Sequence, residues 1–337
     1  MRCCPAHLDI FLHRCVVDRS HRSLRLLGII TALLGCVPLI NCDIAQAEEL
    51  RVAFWNVENL FDQYVDKRVP TSDVFLPEHV QEKLEKDATI IRQLDADIVG
   101  LMEVENRGLL RELCEKHLAD MGYRYFELSE ETDDRGIDVA IISRRPFLSY
   151  SFEVPDFYRG VLVSRFSIDG EPLYVIVNHW KSRFEGGEDL RMSCARVVSE
   201  LVNHQIPVYE GKPVPIIIGG DLNDDDTDAS VVYLEQHDMT NTLKSIPFKE
   251  RWTLPYNNLD KQRVEYNGFD HIFINPQLQD QAGIEWDSSS VVRPEIMTHE
   301  RRLYGTSYTW PDDDDRDHIG YSDHYPVMTT IRLPQAK

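Results

Sequence analysis

The stretch PIIIGGDLND, residues 215–224, carries the clearest structural signal in the chain. An uninterrupted apolar run closed by two glycines predicts a strand that is buried on both faces of a sheet. The run ends in Asp221 and Asn223, side chains of the kind that bind metals or move protons. Catalytic groups commonly lie where a rigid strand passes into a loop that can reach substrate. We therefore expect a sheet-containing fold with a chemical site at this edge.

The same arrangement recurs along the chain, because other apolar segments also end in polar side chains of catalytic type. These segments are WNVEN at 55–59, LMEVEN at 101–106, NHW at 178–180, GFDH at 268–271 and YSDHYP at 321–326. A single Asp or His at a strand end is usually a turn cap or a solvated group. The combination of Asn, Glu, His and Asp at several strand ends instead predicts one composite active site.

The hydrophobic pattern predicts helices and strands in mixed order. Helices are expected at 78–94, 109–121 and 190–204, and strands at 50–56, 97–103, 137–143, 161–168, 173–178, 215–219, 269–274 and 325–333. Asp169-Gly170 is a hairpin signal, so some neighbouring strands are antiparallel. This mixture favours an α/β fold with mixed sheets. No Pro-, Gly- or Ser-rich linker interrupts residues 48–337, which we interpret as one domain.

Residues 1–47 are predicted to be an export leader. An uncharged run at 26–40 follows three arginines and precedes Ala45-Gln46-Ala47, which is the order of a signal peptide cleaved after Ala47. The run is shorter than the roughly 20 apolar residues of a membrane span. A lipoprotein signal at Cys36 and an uncleaved anchor are the alternatives. We expect a secreted or periplasmic protein, with membrane contact only through an uncleaved or lipidated N-terminus.

The predicted mature chain is strongly acidic. The full sequence carries 36 basic and 57 acidic residues, a net charge of −21, and removing the leader's five arginines and three aspartates leaves −23. An acidic surface repels polyanions, and non-specific nucleic-acid binding usually relies on Lys and Arg. The charge therefore argues against a tight nucleic-acid-binding module. It does not argue against an enzyme whose site holds a cation, and no stable protein partner is implied.

Cysteine usage leaves two alternatives open. Of the seven cysteines, only Cys114 and Cys194 follow the predicted leader. A disulfide between them is allowed in an oxidising compartment. The alternative is two buried thiols, since free cysteine behaves as a small apolar residue.

The polar strand ends supply the groups that phosphodiester hydrolysis requires. Mg²⁺ prefers oxygen ligands, so Glu103 is the first candidate ligand for Mg²⁺ or Mn²⁺, assisted by Asn56, Glu58 and Asp323. Zinc is disfavoured, because the sequence has no cysteine cluster of zinc-binding type and no His-x-x-x-His pair.

Acid/base roles are assigned to the remaining groups. Asp221 is predicted to take a proton from the attacking water, while Asn223 orients that water and contacts the phosphate. His179 is suited to protonate the leaving oxygen, because the histidine pKa lies near neutrality. His324, paired with Asp270, is predicted to stabilise the phosphate charge.

Two acidic segments have features of calcium sites. Asp221-x-Asn223-x-Asp225 resembles the start of an EF-hand loop, but Asp226 and Val232 occupy the positions that require Gly and Glu, so that interpretation is rejected. The run at 312–315 is interpreted as a solvated acidic loop. A structural Ca²⁺ in this run is the alternative.

Together, the segments WNVEN, LMEVEN, GGDLND and SDHYPV resemble the endonuclease/exonuclease/phosphatase superfamily, the DNase-I-like enzymes. The resemblance covers roughly residues 50–334. It implies a four-layer α/β sandwich of two packed mixed sheets flanked by helices, with the active site at one end of the sheets. The residues that it implies for this site are Asn56, Glu58 and Glu103 at the metal end, then Asp221, Asn223, Asp270, Asp323 and His324.

His179 resembles the second histidine of the DNase I branch, which pairs it with a carboxylate. Asp138 is the candidate for that partner. The segment NHWKSR at 178–183, followed by Gly186-Gly187, resembles predicted extracellular nucleases. Asn178, Lys181 and Arg183 are therefore candidate substrate-binding residues. Lys181 and Arg183, together with Arg191 and Arg196, could form a basic rim for backbone phosphates, the alternative being ordinary solvated charge.

The favoured hypothesis is a secreted, metal-dependent, non-specific nuclease acting on DNA or RNA. A sphingomyelinase-like lipid phosphodiesterase is an alternative, for which Trp252 and Trp310 are the aromatic residues in polar loops that could meet a membrane. Further alternatives are a nucleotide or inositol phosphate phosphatase and a degenerate binding protein. The complete set of catalytic residue types argues against the last.

Overall fold

The computed structural model describes residues 48–65, 69, 74–129, 135–154, 157–184, 186–311 and 320–334. These residues belong to one compact unit, Gln46–Lys337. The predicted leader at 1–47, with Cys36, and the acidic run at 312–315 lie outside the described residues. Cleavage, lipidation and calcium binding therefore stay predictions.

The strands build two large mixed sheets and two small hairpin sheets. In chain order they are β1 (Glu49–Leu60), β2 (Ile98–Val104), β3 (Tyr125–Leu128), β4 (Asp138–Ser143), β5 (Phe147–Val154), β6 (Phe157–Ile168), β7 (Glu171–His179), β8 (Ile216–Asp221), β9 (Thr240–Asn241), β10 (Leu254–Asn258), β11 (Arg263–Asn267), β12 (Asp270–Ile274), β13 (Glu285–Val291), β14 (Thr298–Leu303), β15 (Thr306–Pro311) and β16 (Val327–Arg332). The first sheet has the order β13-β16-β1-β2-β4-β3, and the second β5-β6-β7-β8-β12-β9. The small sheets are β10-β11 and β14-β15.

The helices lie between these strands in sequence. The α-helices are α1 (Pro77–Leu94), α2 (Arg107–Glu112), α3 (Glu188–Glu200), α4 (Ile206–Glu210), α5 (Ala229–Glu235) and α6 (Phe248–Arg251). Short π-helical turns cover Leu113–His117 and Leu201–Gln205, and 3₁₀ turns cover Ala119–Met121, Thr242–Ser245, Pro276–Leu278 and Glu295–Met297. Pro77 occupies the first turn of α1, where its missing N–H costs nothing. The helix ends at Asp95, whose left-handed backbone lets its N–H reach the carbonyl of Ile91.

Alternating side chains on the strands define the layers. On β1, Trp55 packs in a buried cluster with Leu84 and Ile91 of α1, on the outer face of the first sheet. Phe54, on the opposite face of the same strand, packs with Val177 of the second sheet. Residues on the outer face of the second sheet pack with α3 and α5. The order helices, sheet, sheet, helices is the four-layer α/β sandwich that the family resemblance implied.

The contact between the two sheets depends on glycine. A Cβ atom built at Gly219 would lie 2.4 Å from the ring of Phe54 in the first sheet, and one at Gly100 would lie 3.0 Å from Val177 in the second. Gly220 has a φ of +133°, and a Cβ there would lie 1.9 Å from the carbonyl oxygen of Asn178. The two glycines of GGDLND thus permit one close approach between sheets and one between neighbouring strands.

The predicted elements correspond to structural ones, with some differences. The helix expected at 109–121 is broken into α2, a π turn and a 3₁₀ turn, and the helix expected at 190–204 becomes π-helical after Glu200. The sequence patterns did not predict β3, β5, β9, β13 or the strands of the two small sheets. Strand β13, EWDSSSV, is an edge strand with few apolar side chains, so its alternation is weak.

Cys114 and Cys194 are free and buried. Cys114 belongs to the cluster under α1, whereas Cys194 belongs to the cluster under α3. Both sheets lie between these clusters, so the thiols cannot come within disulfide distance. Of the two alternatives drawn from the sequence, the buried thiols are the ones present. Separately, none of the helices within the described residues is long and apolar enough to cross a membrane.

Candidate active site

Strand register brings several predicted catalytic residues together at the ends of neighbouring strands in the second sheet. In the parallel pair of β7 and β8, His179 lies opposite Asp221. In the antiparallel pair of β8 and β12, Asp270 lies opposite the same aspartate. The first sheet contributes the ends of β1 and β2, which run parallel. The separate sequence segments therefore meet because the sheets fix which residues are neighbours.

Asp270 and His324 form a buried hydrogen-bonded pair. Nδ1 of His324 lies 2.7 Å from Oδ2 of Asp270. Burial alone would lower the pKa of His324, but the charges of Asp270, Asp323 and Asp221 outweigh it and raise that pKa well above its usual value. The imidazole is therefore charged at neutral pH, as expected for a group that stabilises a phosphate.

Asp221 is buried next to this pair. Its Oδ2 lies 3.8 Å from Nε2 of His324 and accepts a hydrogen bond from Nδ2 of Asn56 at 3.1 Å. Burial raises the pKa of Asp221 to about 7; the charge of His324 opposes this shift and that of Asp270 adds to it. A carboxylate with a pKa near neutrality is well matched to accepting a proton.

Asn223 lies beside Asp221 in a left-handed conformation, with a φ of 52°. Its backbone N–H donates to Oδ1 of Asp221 at 2.9 Å, and its side-chain amide donates to the carbonyl of Trp180 at 3.0 Å. The amide is thereby fixed between β7 and the loop after β8. The role predicted for Asn223, orienting the attacking water and contacting the phosphate, stays a prediction.

The predicted metal ligands lie at the ends of β1 and β2. Nδ2 of Asn56 lies 3.3 Å from Oε1 of Glu103, whose Oε2 accepts a hydrogen bond from the backbone of Asn59 at 3.2 Å. Glu58, Asn59 and Glu103 all have positive φ, at 56°, 61° and 67°. Such backbone is uncommon for these residues and is often retained at functional sites. A bulge between Asn56 and Leu60 accommodates it.

The loop after Gly320 completes this end of the site. Ser322 Oγ donates to the carbonyl of Asn56 at 2.7 Å, and the N–H of Asp323 donates to Oε2 of Glu58 at 2.9 Å. Asp323 and His324 therefore enter the site on a loop tied to β1. This places Glu58 and Asp323, far apart in sequence, side by side.

The donor set fits a divalent cation. Burial and the carboxylates of Glu58, Glu103 and Asp221 raise the pKa of Asp323 to about 8, although the charge of His324 opposes them. Because 40% of the Asp323 side chain is exposed, the like charges matter more than burial. Crowded carboxylate oxygens of this kind are the ligands that Mg²⁺ and Mn²⁺ prefer. Glu103, Glu58 and Asp323, with the Asn56 amide, are therefore the predicted ligands at this end of the site, and they could hold a cation here.

A second group of possible ligands overlaps the acid/base residues. Asp221, Asp270 and His324 each offer an atom within 4.8 Å of the others, a spacing that could hold a metal ion. Nδ1 of His324 is bonded to Asp270, which suits an acid/base role, but the spacing of the three ligand atoms also suits a cation. This group and the carboxylates at the ends of β1 and β2 are therefore both candidate cation sites.

The pKa and the hydrogen bonding of His179 differ from what the sequence predicted. Its Nε2 lies 3.5 Å from Oδ2 of Asp221 and 3.7 Å from Oε1 of Glu103, so the ring is in the site. Burial, then the charges of Arg159 and Arg135, lower the pKa of His179 well below 6.5. The expectation of a pKa near neutrality is therefore wrong, and the ring is neutral. The suggested partner is also wrong, because Nδ1 of His179 accepts or donates no hydrogen bond within the described residues, and Asp138 bonds to Ser129.

The predicted substrate-binding residues do not all face the site. Asn178 is completely buried, and its Oδ1 accepts a hydrogen bond from the Trp180 indole at 3.2 Å, so contact with substrate is not supported. Lys181 is half-buried, and its Nζ donates to the carbonyl of Phe184 at 3.2 Å. Arg183 donates to the carbonyl of Asn223 at 2.9 Å and forms an ion pair with Asp228. Lys181 and Arg183 therefore remain candidates for contact with substrate at the rim of the cleft.

The prediction that Arg191 belongs to a basic rim for backbone phosphates is wrong. This side chain is 2% exposed, and its Nε lies 2.7 Å from Oδ1 of Asp224. Its Nη1 also donates to the carbonyls of Lys181 and Gly186, both at 3.1 Å. Arg191 thus fastens the loop after β7 to the loop after β8. The fourth member of the predicted rim, Arg196, is exposed on α3.

Sequence patterns missed two arginines close to the site. Arg135 hydrogen-bonds to Asn59, and its Nη2 lies 3.7 Å from Oε2 of Glu103. Arg159 is 5% exposed and donates to the carbonyl of Trp180 at 3.2 Å. Neither lies at a predicted strand end, so no sequence signal marked them. Like the charged His324, they supply positive charge in a cleft that is rich in carboxylates.

Comparison with known proteins assigns the chain to a family. Residues 51–333 match the model of the Endonuclease/Exonuclease/phosphatase family, so the chain belongs to that family. The resemblance inferred from the sequence segments is therefore confirmed. No curated protein sequence matches the chain significantly.

Solved structures share the fold at low sequence identity. D. rerio TDP2 complexed with a single-strand DNA product is 17% identical, with a TM-score of 0.57 over 85% of this chain and 100% of that one. A mannosyl-6-phosphatase from Bacteroides thetaiotaomicron is 19% identical, with a TM-score of 0.56 over 84% of this chain and 100% of that one. At these identities the likeness establishes the DNase-I-like fold.

Proposed function

We propose that this protein is a divalent-metal-dependent hydrolase of phosphodiester bonds and that nucleic acid is its substrate. The observation that carries the proposal is the meeting of Asp221, the Asp270–His324 pair and Glu103 in one buried cleft. Family membership supports hydrolysis of a phosphate ester. The crowded carboxylates at the metal end support a cation requirement.

The side chains divide the chemistry between them. When bound, a divalent cation supplies positive charge to the phosphoryl oxygens. Asp221 accepts the proton of the attacking water, which Asn223 helps to orient. His324, held protonated by Asp270, stabilises the phosphate and can give a proton to the leaving oxygen. This differs from the role expected from sequence, because the neutral His179 can donate one hydrogen bond but is a poor proton source.

Several features favour nucleic acid over other phosphate esters. Arg135 and Lys181 provide positively charged groups near the cleft, whereas Arg183 is paired with neighbouring aspartates. Contacts from such side chains to backbone phosphates position a nucleic acid without reading its sequence. A solved structure of the same fold, TDP2, holds a single-strand DNA product. A non-specific nuclease is the function most consistent with these features.

Two other substrate classes are separate candidates. A mannosyl-6-phosphatase shares the fold, so a phosphomonoester is the second candidate. A sphingomyelinase-like activity is less favoured, since Trp252 and Trp310 are each 7% exposed and are not available for membrane insertion.

A substrate panel with a metal series tests the proposal. Purified residues 48–337 would be incubated with plasmid DNA, single-stranded DNA, RNA, sphingomyelin liposomes, mannose 6-phosphate and inositol phosphates, each with EDTA, Mg²⁺, Mn²⁺ or Ca²⁺. We expect cleavage of nucleic acid with Mg²⁺ or Mn²⁺ and none with EDTA. Intact DNA and RNA beside turnover of another ester would overturn the substrate assignment.

Variants link the activity to the cleft. Asp221→Ala and His324→Ala should each lower the rate at least ~10²-fold, the scale expected for loss of a general acid or base. Asp260→Asn, an exposed aspartate in the turn between β10 and β11, is the matched control and should retain full activity. Full activity in both cleft variants would refute catalysis at this site.

We also propose export through the predicted leader, to the periplasm or the medium. Mass spectrometry of the protein recovered from its native host decides between the alternatives. A mature N-terminus at Glu48 supports a cleaved signal peptide, and a lipid on Cys36 supports the lipoprotein. A chain that retains residues 1–47 contradicts both.

A further inference from the structure

Lys83 is a buried lysine on α1 that faces the two loops of the proposed metal end. Its side chain is completely inaccessible to solvent. Its Nζ donates to the carbonyl oxygens of Val57 at 2.5 Å, Tyr321 at 2.8 Å and Gly320 at 3.2 Å. One ammonium group therefore joins the bulged end of β1, residues 57–59, to the loop before β16, and these two segments are the loops of the metal end.

The carbonyls that Lys83 binds are adjacent to the candidate ligands. Val57 lies between Asn56 and Glu58, and Tyr321 is separated from Asp323 by one residue. An apolar side chain at position 83 would leave these carbonyls without their donor. The lysine thus acts on the backbone that carries the ligands and not on the ligands themselves.

Asp87 provides the opposing charge for Lys83. Its Oδ1 lies 3.1 Å from Nζ, one helical turn further along α1, and both side chains are fully buried. Burying an ion pair removes two charges from water, and the mutual attraction often fails to offset that loss. Fold stability alone is therefore a weak reason for a charged pair at this position. Placement of the two loops is a stronger one.

The loops need such an anchor because their backbone is unusual. Glu58 and Asn59 both have positive φ, and the chain bulges out of β1 at this point. Direct hydrogen bonds between the loops include the Ser322 hydroxyl on Asn56 and the Asp323 N–H on Glu58. Lys83 adds a further connection from α1 and bonds to both loops at once.

We propose that Lys83 is a positioning residue that sets the separation of Glu58 and Asp323 for cation binding, with Asp87 balancing its charge. The inference rests on the proposed function only in that these ligands hold a divalent cation. It extends the site to the helix layer, since α1 lies on the outer face of the first sheet.

The test measures Mn²⁺ affinity by titration calorimetry, which does not depend on turnover. Lys83→Met with Asp87→Asn removes both charges and leaves no orphan carboxylate. We expect Kd for Mn²⁺ to rise at least about tenfold, as for other residues that support metal ligands. Lys83→Arg keeps a donor and a charge, so it should bind Mn²⁺ with an affinity between those of wild type and the double variant.

A matched control comes from another helical ion pair of the same spacing. Lys116 and Glu112 lie 2.7 Å apart on the helix that follows β2 and contact neither loop in the described structure. Lys116→Met with Glu112→Gln should leave Kd for Mn²⁺ unchanged. Urea unfolding of each variant shows whether it is folded and how much stability it has lost.

The outcomes separate this inference from the proposed function. A Kd for the Lys83/Asp87 variant within about twofold of wild type would overturn positioning, even if that variant is less stable, because a supporting residue should change affinity by more. Absence of Mn²⁺ binding in wild type would also overturn it. Wild-type Mn²⁺ binding without hydrolysis of any ester on the panel would refute the proposed function alone. If the double variant does not fold, Lys83→Arg decides, since wild-type Kd in that folded variant refutes dependence on the lysine geometry.

Discussion

At the scale of single residues, the charge of Asp270 keeps His324 protonated through their 2.7 Å hydrogen bond. Asp270→Asn preserves the shape of the side chain but removes that charge, which lowers the pKa of His324. We expect kcat to fall about 10²-fold, the scale of a lost general acid, with KM nearly unchanged. The fall should grow as the pH rises above neutrality, because a histidine of lower pKa loses its proton at a lower pH. Measuring kcat against pH, on the substrate that the panel identifies, checks this.

The exposed Asp260→Asn serves again as the control and should follow the wild-type profile throughout. A loss in Asp270→Asn that is equal at every pH would mean that Asp270 orients the ring without affecting its protonation. Wild-type activity at alkaline pH would contradict both roles.

Residue types at the site were predictable from sequence, whereas their environments were not. Asp221, His324 and Glu103 stand at the ends of apolar runs, and that position identifies them without coordinates. The neutral state of His179 depends on burial together with Arg135 and Arg159, which lie in unrelated segments. Sequence alone could not predict such an environment, because it arises from residues brought together only by the fold.

At the scale of secondary-structure elements, Phe54 of β1 reaches across the sheet interface to Gly219 of β8. A Cβ at Gly219 would lie 2.4 Å from the Phe54 ring, so Gly219→Ala forces the sheets apart or the ring out of place. We expect the free energy of unfolding to fall by about 1–3 kcal/mol, as for other overpacked cores. Urea denaturation followed by circular dichroism measures it.

A shorter side chain at position 54 should relieve that strain. Gly219→Ala combined with Phe54→Leu should be less destabilised than the sum of the two single variants, since the residues are in contact. Gly268→Ala is the matched control, because its nearest neighbour would be 3.8 Å from the new Cβ and the glycine has no positive φ. Additive effects at Gly219 and Phe54 would show that the ring does not limit the sheet spacing.

Elements that build the core were predictable because burial leaves a pattern in their sequences. Strand β8 and its neighbours in the two sheets are continuous apolar runs, buried on both faces. Strands β14 and β15 form a separate hairpin whose side chains are mostly exposed or half-buried, and their sequences, THERRL and TSYTWP, carry no such pattern. The π-helical turns that follow Glu112 and Glu200 could not be predicted from sequence either, since π turns depend on packing more than on local sequence.

At the scale of the whole molecule, the four-layer fold is compatible with the proposed action of an acidic protein on nucleic acid. The active-site edge receives strand ends from both sheets, so its arginines and any bound cation act locally within the cleft. The rest of the surface keeps its negative charge, which repels polyanions over longer distances. Turnover needs product release as well as substrate binding. Positive charge within the cleft favours binding, and negative charge on the remaining surface favours release.

The same layering determines the state of the cysteines. Cys114 and Cys194 lie in clusters on opposite sides of the two sheets, and burial raises the pKa of both thiols to about 12. Both should remain protonated and unreactive at about pH 8, because a thiol must ionise to attack a disulfide reagent. For residues 48–337 treated with Ellman's reagent, we expect no reaction while folded and two reactive thiols per chain in urea. Thr306→Cys, at an exposed position, is the control for reagent access and should react at once in the folded protein. If the unfolded, unreduced chain had no reactive thiol, the two cysteines would be bonded, and the separation of the helix layers by both sheets would be wrong.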